Sequence, residues 1–204
     1  MGEVRERICL SEYYQVFNVL LQFFINLDMQ VQGYMLAINS PWPVKIMLLI
    51  TYLGSPWAFI ILCTVASTYL QHRRKTLEAI FLNIALFSSW GTMEWLKMFI
   101  ERNRPLGEAL TVASGYSFPS GHAMLSLVFY GFLANLMLSS ARRRKRFWWG
   151  AIGLYLLILI IGFSRMYLNV HYTSDVLAGY LFGMVLLVAS IEAMKWFKKK
   201  RMGY

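Results

Sequence analysis

The chain has 204 residues, 58% of them hydrophobic and only 15% charged, with a formal net charge of +10. That balance is too apolar for a soluble surface of this size and reads as one integral-membrane domain over residues 1–204. The basic residues cluster beside apolar runs, at His72–Lys75, Arg142–Arg146 and Lys195–Arg201, so they point to membrane flanks and anionic headgroups rather than nucleic acid.

Taken in order, residues 8–27 form an apolar run studded with Glu12, Gln15, Asn18, Gln22 and Asn26. It reads as a first span with a polar stripe, an interfacial helix being the alternative. No small-residue cleavage site follows the N-terminal charges, so a removable signal peptide is not expected. Residues 28–43, with Asp28, Gln30, Gln32 and Pro41-Trp42-Pro43, read as an interfacial connection. The apolar run from Val44 to Leu70 is broken at Gly54-Ser55-Pro56, which predicts a span over 54–71. Further spans are predicted over 77–97, 119–140, 147–164 and 175–197, giving an all-α polytopic bundle of about six transmembrane helices.

Glu94 and Lys97, three apart, are spaced to pair. Gly179 and Gly183 give the last helix a small-xxx-small face for close packing. Cys9 and Cys63 lie in or beside apolar runs and read as packing residues, with no disulfide framework or metal cluster expected. The basic blocks alternate onto one side together with the N-terminus, and that side is expected to be cytoplasmic. The predicted helix ends near Lys97, Ser120 and His171 then share the outer face.

Three polar motifs fall at those ends: Lys97-x6-Arg104-Pro105, Phe118-Pro119-Ser120-Gly121-His122, and Ser164-Arg165-x5-His171-x3-Asp175. Ionisable residues at the margin of a hydrocarbon core are functional candidates because each is costly to desolvate. Arg165 offers a planar donor fork suited to phosphate. His171 and Asp175 are four apart, so one helical turn can set a carboxylate beside an imidazole. Pro119 favours a helix start at which the N–H groups of Ser120 and Gly121 would face an anion. Singly these residues have plainer readings: His122 as a cap, Lys97 and Arg104 as snorkelling cations, Arg165 with Asp175 as a structural ion pair. Those readings leave three spacings at one face unexplained. His72, in a cytoplasmic basic block, keeps its plain reading.

In order and spacing the three motifs resemble the type 2 phosphatidic acid phosphatase family, the membrane branch of the vanadium haloperoxidase and bacterial acid phosphatase superfamily. The resemblance implies a haloperoxidase/acid phosphatase-like core. It implies His171 as nucleophile through a phosphohistidine, Asp175 as its orienting partner, and His122 as general acid and then base. It also implies Lys97, Arg104, Arg165, Ser120 and Gly121 as phosphate ligands, with no metal and no cofactor. The expected substrate is a lipid phosphate taken from the bilayer at the outer face of a bacterial cell membrane, with no obligate protein partner. Phosphatidylglycerophosphate is placed first; undecaprenyl diphosphate and phosphatidic acid follow. A haloperoxidase would be soluble and bind vanadate as cofactor. A transporter would place charges at mid-membrane and carry internal repeats, whereas here the charges gather at one face.

Overall fold

Proline and glycine set the helix boundaries of this chain. A computed structural model describes residues 2–140 and 145–201, with side chains from residue 15 onward except 16, 17 and 140. The regular structure among them is helical: α1 (Gly2–Ala37), α2 (Pro41–Tyr52), α3 (Pro56–His72), α4 (Thr76–Ile100), α5 (Gly121–Ser140), α6 (Arg146–Tyr167) and α7 (Thr173–Arg201). Arg142, Arg143 and Arg144 of the second basic block, and the side chain of Cys9, lie outside the described residues.

Residues 28–43, read as an interfacial connection from their polarity, are helical except for a short link at 38–40. α1 runs on to Ala37 and α2 begins at Pro41. Prolines in a first turn remove only N–H groups that lack helical partners anyway. Asp28 and Gln32 are tolerated inside α1 because distant groups satisfy them: Ser174 and Arg102 bind Asp28, and Gln32 Nε2 donates to Leu106 O at 2.8 Å. The Gly54-Ser55-Pro56 break is real, with α2 and α3 meeting at 47°. Ser55 caps α3 by accepting the Ala58 N–H at 3.2 Å. Tyr130 Oη fixes the break by donating to Leu53 O at 2.8 Å.

α5, α6 and α7 are long and apolar enough to cross a membrane, and α2 with α3 makes a fourth span if the bent pair counts as one. α1 and α4 have 36 and 25 residues, and their polar positions keep them short of that apolar standard. α5 is the centre: it packs on α4, α6 and α7, and Val128, Phe129 and Phe132 are buried within it. The glycine face of α7 meets α5 as its spacing predicts. A Cβ on Gly179 would stand 2.7 Å from Ser120 O, and one on Gly183 would stand 2.9 Å from Met124 O. Asn83 Nδ2 bonds Ser67 Oγ at 2.8 Å and ties α4 to α3. At one end of the bundle Lys198 pairs with Glu78 at 2.8 Å, joining α7 to α4. The three motifs gather at the other end.

Candidate active site

α4 carries Lys97 in its last turn and stops at Glu101, whose φ of +50 is left-handed. The segment from Glu101 to Ser120 has no regular structure, so side chains must hold it. Arg104 does much of this. Nε donates to Gly115 O at 3.0 Å and Nη1 to Val170 O at 2.8 Å; Nη2 donates to Ser114 O at 2.7 Å and Tyr116 O at 3.4 Å. Four of its five N–H groups are thus engaged. After α6, Asn169 takes a left-handed φ of +53 and turns the chain. Its Nδ2 reaches Leu106 O at 3.3 Å and Glu108 O at 3.2 Å, while Leu110 N donates to Leu168 O at 3.0 Å. The first and third motifs are thereby laced together.

His171 is buried between α6 and α7. Its Nδ1 faces Asp175 Oδ2 at 3.6 Å, an ion-pair distance somewhat longer than a hydrogen bond. Nδ1 has no other partner. Catalytic hydrogen bonds are often long before substrate binds. Oδ2 also accepts the Tyr172 N–H at 2.9 Å and the Ser117 hydroxyl, while Oδ1 accepts from Arg102 Nη1 at 2.6 Å. Burial pushes the His171 pKa down to about 4; the Asp175 carboxylate pulls it up, and the cations Arg165 and Arg104 push it down further. The imidazole is therefore neutral near pH 7.

Arg165 is buried, with Nη1 donating to Thr51 Oγ1 at 2.7 Å and Nε lacking any partner. It does not pair with Asp175, whose outer oxygen belongs to Arg102. His122, in the first turn of α5, lies within electrostatic reach of Arg165, His171, Lys97 and Arg104. Lys97 is half-buried and within reach of Arg104, Arg165 and Glu94, yet among the described residues no ion pair joins it to Glu94. One expectation is corrected. The Ser120 N–H does not face the loop as a free donor, because it bonds Asp175 O at 3.0 Å where α7 packs against this turn. The buried Ser120 hydroxyl has no partner and is the group left to meet a ligand. Gly121 is buried, with the Met93 thioether where a side chain would go.

Thr51, Arg102 and Ser117 bond motif residues directly, Gly54 lies against His122, and Asp28 reaches Asp175 through Arg102; none of the five stands out as a site residue in the sequence. An acid bordering the apolar run 8–27 is the visible signal for Asp28; nothing local marks Thr51 or Ser117. Beside the site, an apolar cavity of about 310 Å³ lies between α3 and α4, lined by Pro56, Phe59, Ile60, Phe87, Trp90 and Leu125 among others. None of the motif residues lines it, but Leu125 is the third residue after His122 and Pro56 the second after Gly54.

The PAP2 superfamily model matches residues 78–199. Phosphatidylglycerophosphatase B of Bacillus subtilis (strain 168) is 31% identical over 169 residues, 80% of this chain and 82% of that protein. The undecaprenyl-diphosphatase of Sulfolobus acidocaldarius is 35% identical over 77 residues, 38% of this chain and 33% of that protein. The crystal structure of the first transmembrane PAP2 type phosphatidylglycerolphosphate phosphatase from Bacillus subtilis superposes with a TM-score of 0.76 at 27% identity, covering 89% of this chain and 95% of that one.

Proposed function

The chain belongs to the PAP2 superfamily and is a membrane-embedded phosphatase, and from that premise we propose that it hydrolyses phosphatidylglycerophosphate to phosphatidylglycerol through a phosphohistidine on His171. His171 Nε2 attacks phosphorus while the phosphoester P–O bond breaks. His122 gives its proton to the leaving alkoxide, then takes one from the water that cleaves the P–N bond and releases inorganic phosphate. Asp175 holds the His171 tautomer and stabilises the positive ring. Lys97 and Arg165, with the Ser120 hydroxyl and Gly121, hold the phosphoryl oxygens, and Arg104 adds its charge and its one unengaged N–H. Three cations supply the charge stabilisation that a metal supplies in other phosphoryl transfers, so none is required.

The observation that carries this reading is the gathering of Lys97, Arg104 and Arg165 about His122 and His171 with Asp175 behind. The apolar cavity next to the His122 turn favours a substrate whose chains stay in the bilayer. A monophosphate is favoured because Arg102, the further cation of the loop, is held by Asp28 and Asp175. The site faces outward, with both termini cytoplasmic, by the basic flanks. Undecaprenyl diphosphate is the second reading, favoured by that outward site and by the partial match to an undecaprenyl-diphosphatase; phosphatidic acid is third.

The test is phosphate release by detergent-solubilised protein from these three lipids in the presence of EDTA, with His171→Ala as the blank. Phosphatidylglycerophosphate should show the highest kcat/KM. A preference for the diphosphate reverses the order of substrates. Release from none of the three, or only with added Mg²⁺, rejects the mechanism.

A further inference from the structure

We propose that Asp28 on α1 and Arg102 form a positioning pair that sets the orientation and the net charge of the carboxylate behind His171. The inference rests on the reading in which Asp175 supports His171 as nucleophile. Arg102 lies between two buried acids: Nη1 donates to Asp175 Oδ1 at 2.6 Å and Nη2 to Asp28 Oδ2 at 2.7 Å. Nη1 also reaches Ser174 Oγ at 2.6 Å, and the guanidinium lies 4.3 Å from the centre of the Tyr172 ring. Asp28 is only 3% exposed, and its remaining contacts are the Ser174 N–H at 2.8 Å and the Ser174 hydroxyl at 2.5 Å.

This arrangement has two consequences. Fixing Oδ1 of Asp175 fixes the plane of the carboxylate, which leaves Oδ2 turned to His171 Nδ1. The charges also matter. One guanidinium between two carboxylates leaves one negative charge (−1 −1 +1) in the cluster. If Arg102 faced Asp175 alone, it would cancel the field that stabilises positive charge on the attacking ring. By engaging the second arm of the fork, Asp28 keeps Asp175 effective. A planar two-armed cation is required for this, and Lys cannot replace it. Neither Asp28 nor Arg102 is a proposed phosphate ligand, so their loss should appear in kcat rather than KM.

The test is steady-state kinetics of the full chain in detergent on phosphatidylglycerophosphate, comparing wild type, Asp28→Asn, Arg102→Gln, the double variant and His171→Ala. Asp28→Asn should lower kcat about 10–100-fold, as loss of a partner to a catalytic ligand does, with KM within about twofold. The double variant should be no worse than Arg102→Gln alone, because both act through Asp175. If Asp28→Asn does not fold, Arg102→Lys carries the same comparison of kcat with KM. A normal kcat for folded Asp28→Asn, a loss carried by KM, or losses that multiply in the double variant would overturn the proposal. Turnover by His171→Ala would overturn the underlying mechanism, and this inference with it.

Discussion

Gly54, at the break between α2 and α3, packs on His122: a Cβ there would stand 3.0 Å from the imidazole Cδ2 and 2.7 Å from Ile161 Cγ2. Ile161 is buried in the core and gives way only at a cost, so relief of its 2.7 Å contact requires the α2–α3 break itself to shift against the less buried histidine ring. Gly54→Ala should therefore displace the proposed general acid while leaving His171 in place. The expected loss is about 10–100-fold in kcat on lipid phosphate, the scale of a misplacement near 1 Å. Kinetics on p-nitrophenyl phosphate check it: that leaving group needs little protonation and should be hydrolysed nearly normally.

The same leaving-group comparison separates the two histidines. In the proposed mechanism His171→Ala should abolish turnover of both substrates, because among the described residues no other group is placed to form the covalent intermediate. His122→Ala should slow lipid phosphate far more than p-nitrophenyl phosphate, by roughly the 10²–10⁴-fold typical of general-acid catalysis. Equal losses on both substrates would remove His122 from that role.

What was legible in the sequence follows from the range of the interactions. Lys97, Arg104, His122, Arg165, His171 and Asp175 were readable because their spacings are local and their charges are costly at the edge of hydrocarbon. The extent of α1 is not legible, because polar Asp28 and Gln32 read as part of an interfacial connection. Their partners Arg102 and Leu106 lie 74 residues away in each case, and no local pattern encodes such a pairing. Ser120 was half-read. Its place at a helix start was visible, but not that α7 packs closely enough, through Gly179, for Asp175 O to take its N–H.

The depressed pKa of His171 makes a pH prediction with a definite sign. Its folded value, about 4, lies below the ~6.5 of an unfolded chain. Above that range neither state is protonated and the group has no effect. As pH falls through the window the unfolded chain takes up the proton first, so folding stability drops, and the full penalty is reached below the folded value. The Tm of solubilised wild type should fall more between pH 7 and 4 than that of His171→Gln. A wild type that is equally flat would show that the imidazole titrates normally.

Sidedness is checked by labelling in intact cells, in a background with Cys9 and Cys63 replaced by alanine. Val112 is 96% exposed in the segment after α4, and Lys199 is at the far end of α7. Val112→Cys should react with a membrane-impermeant maleimide, and Lys199→Cys should react only after permeabilisation. The reverse pattern would turn the site to the cytoplasm.

Arg165 supplies the last prediction because its surroundings are unfavourable without an anion. It is 3% exposed, Nη1 donates to a neutral hydroxyl on Thr51, its Nε has no acceptor, and among the described residues no carboxylate pairs with it. A buried cation without a counter-charge destabilises the protein that contains it. A phosphoryl group at the site would provide that counter-charge. Orthovanadate or inorganic phosphate should therefore raise the Tm of the wild type, by an amount equivalent to about 2.7 kcal/mol at a hundred times its Kd. Arg165→Gln should respond weakly or not at all to either anion, and without them should be as stable as the wild type or more so. A variant that lost stability while still responding fully to vanadate would show that Arg165 serves the fold and that the anion is held elsewhere.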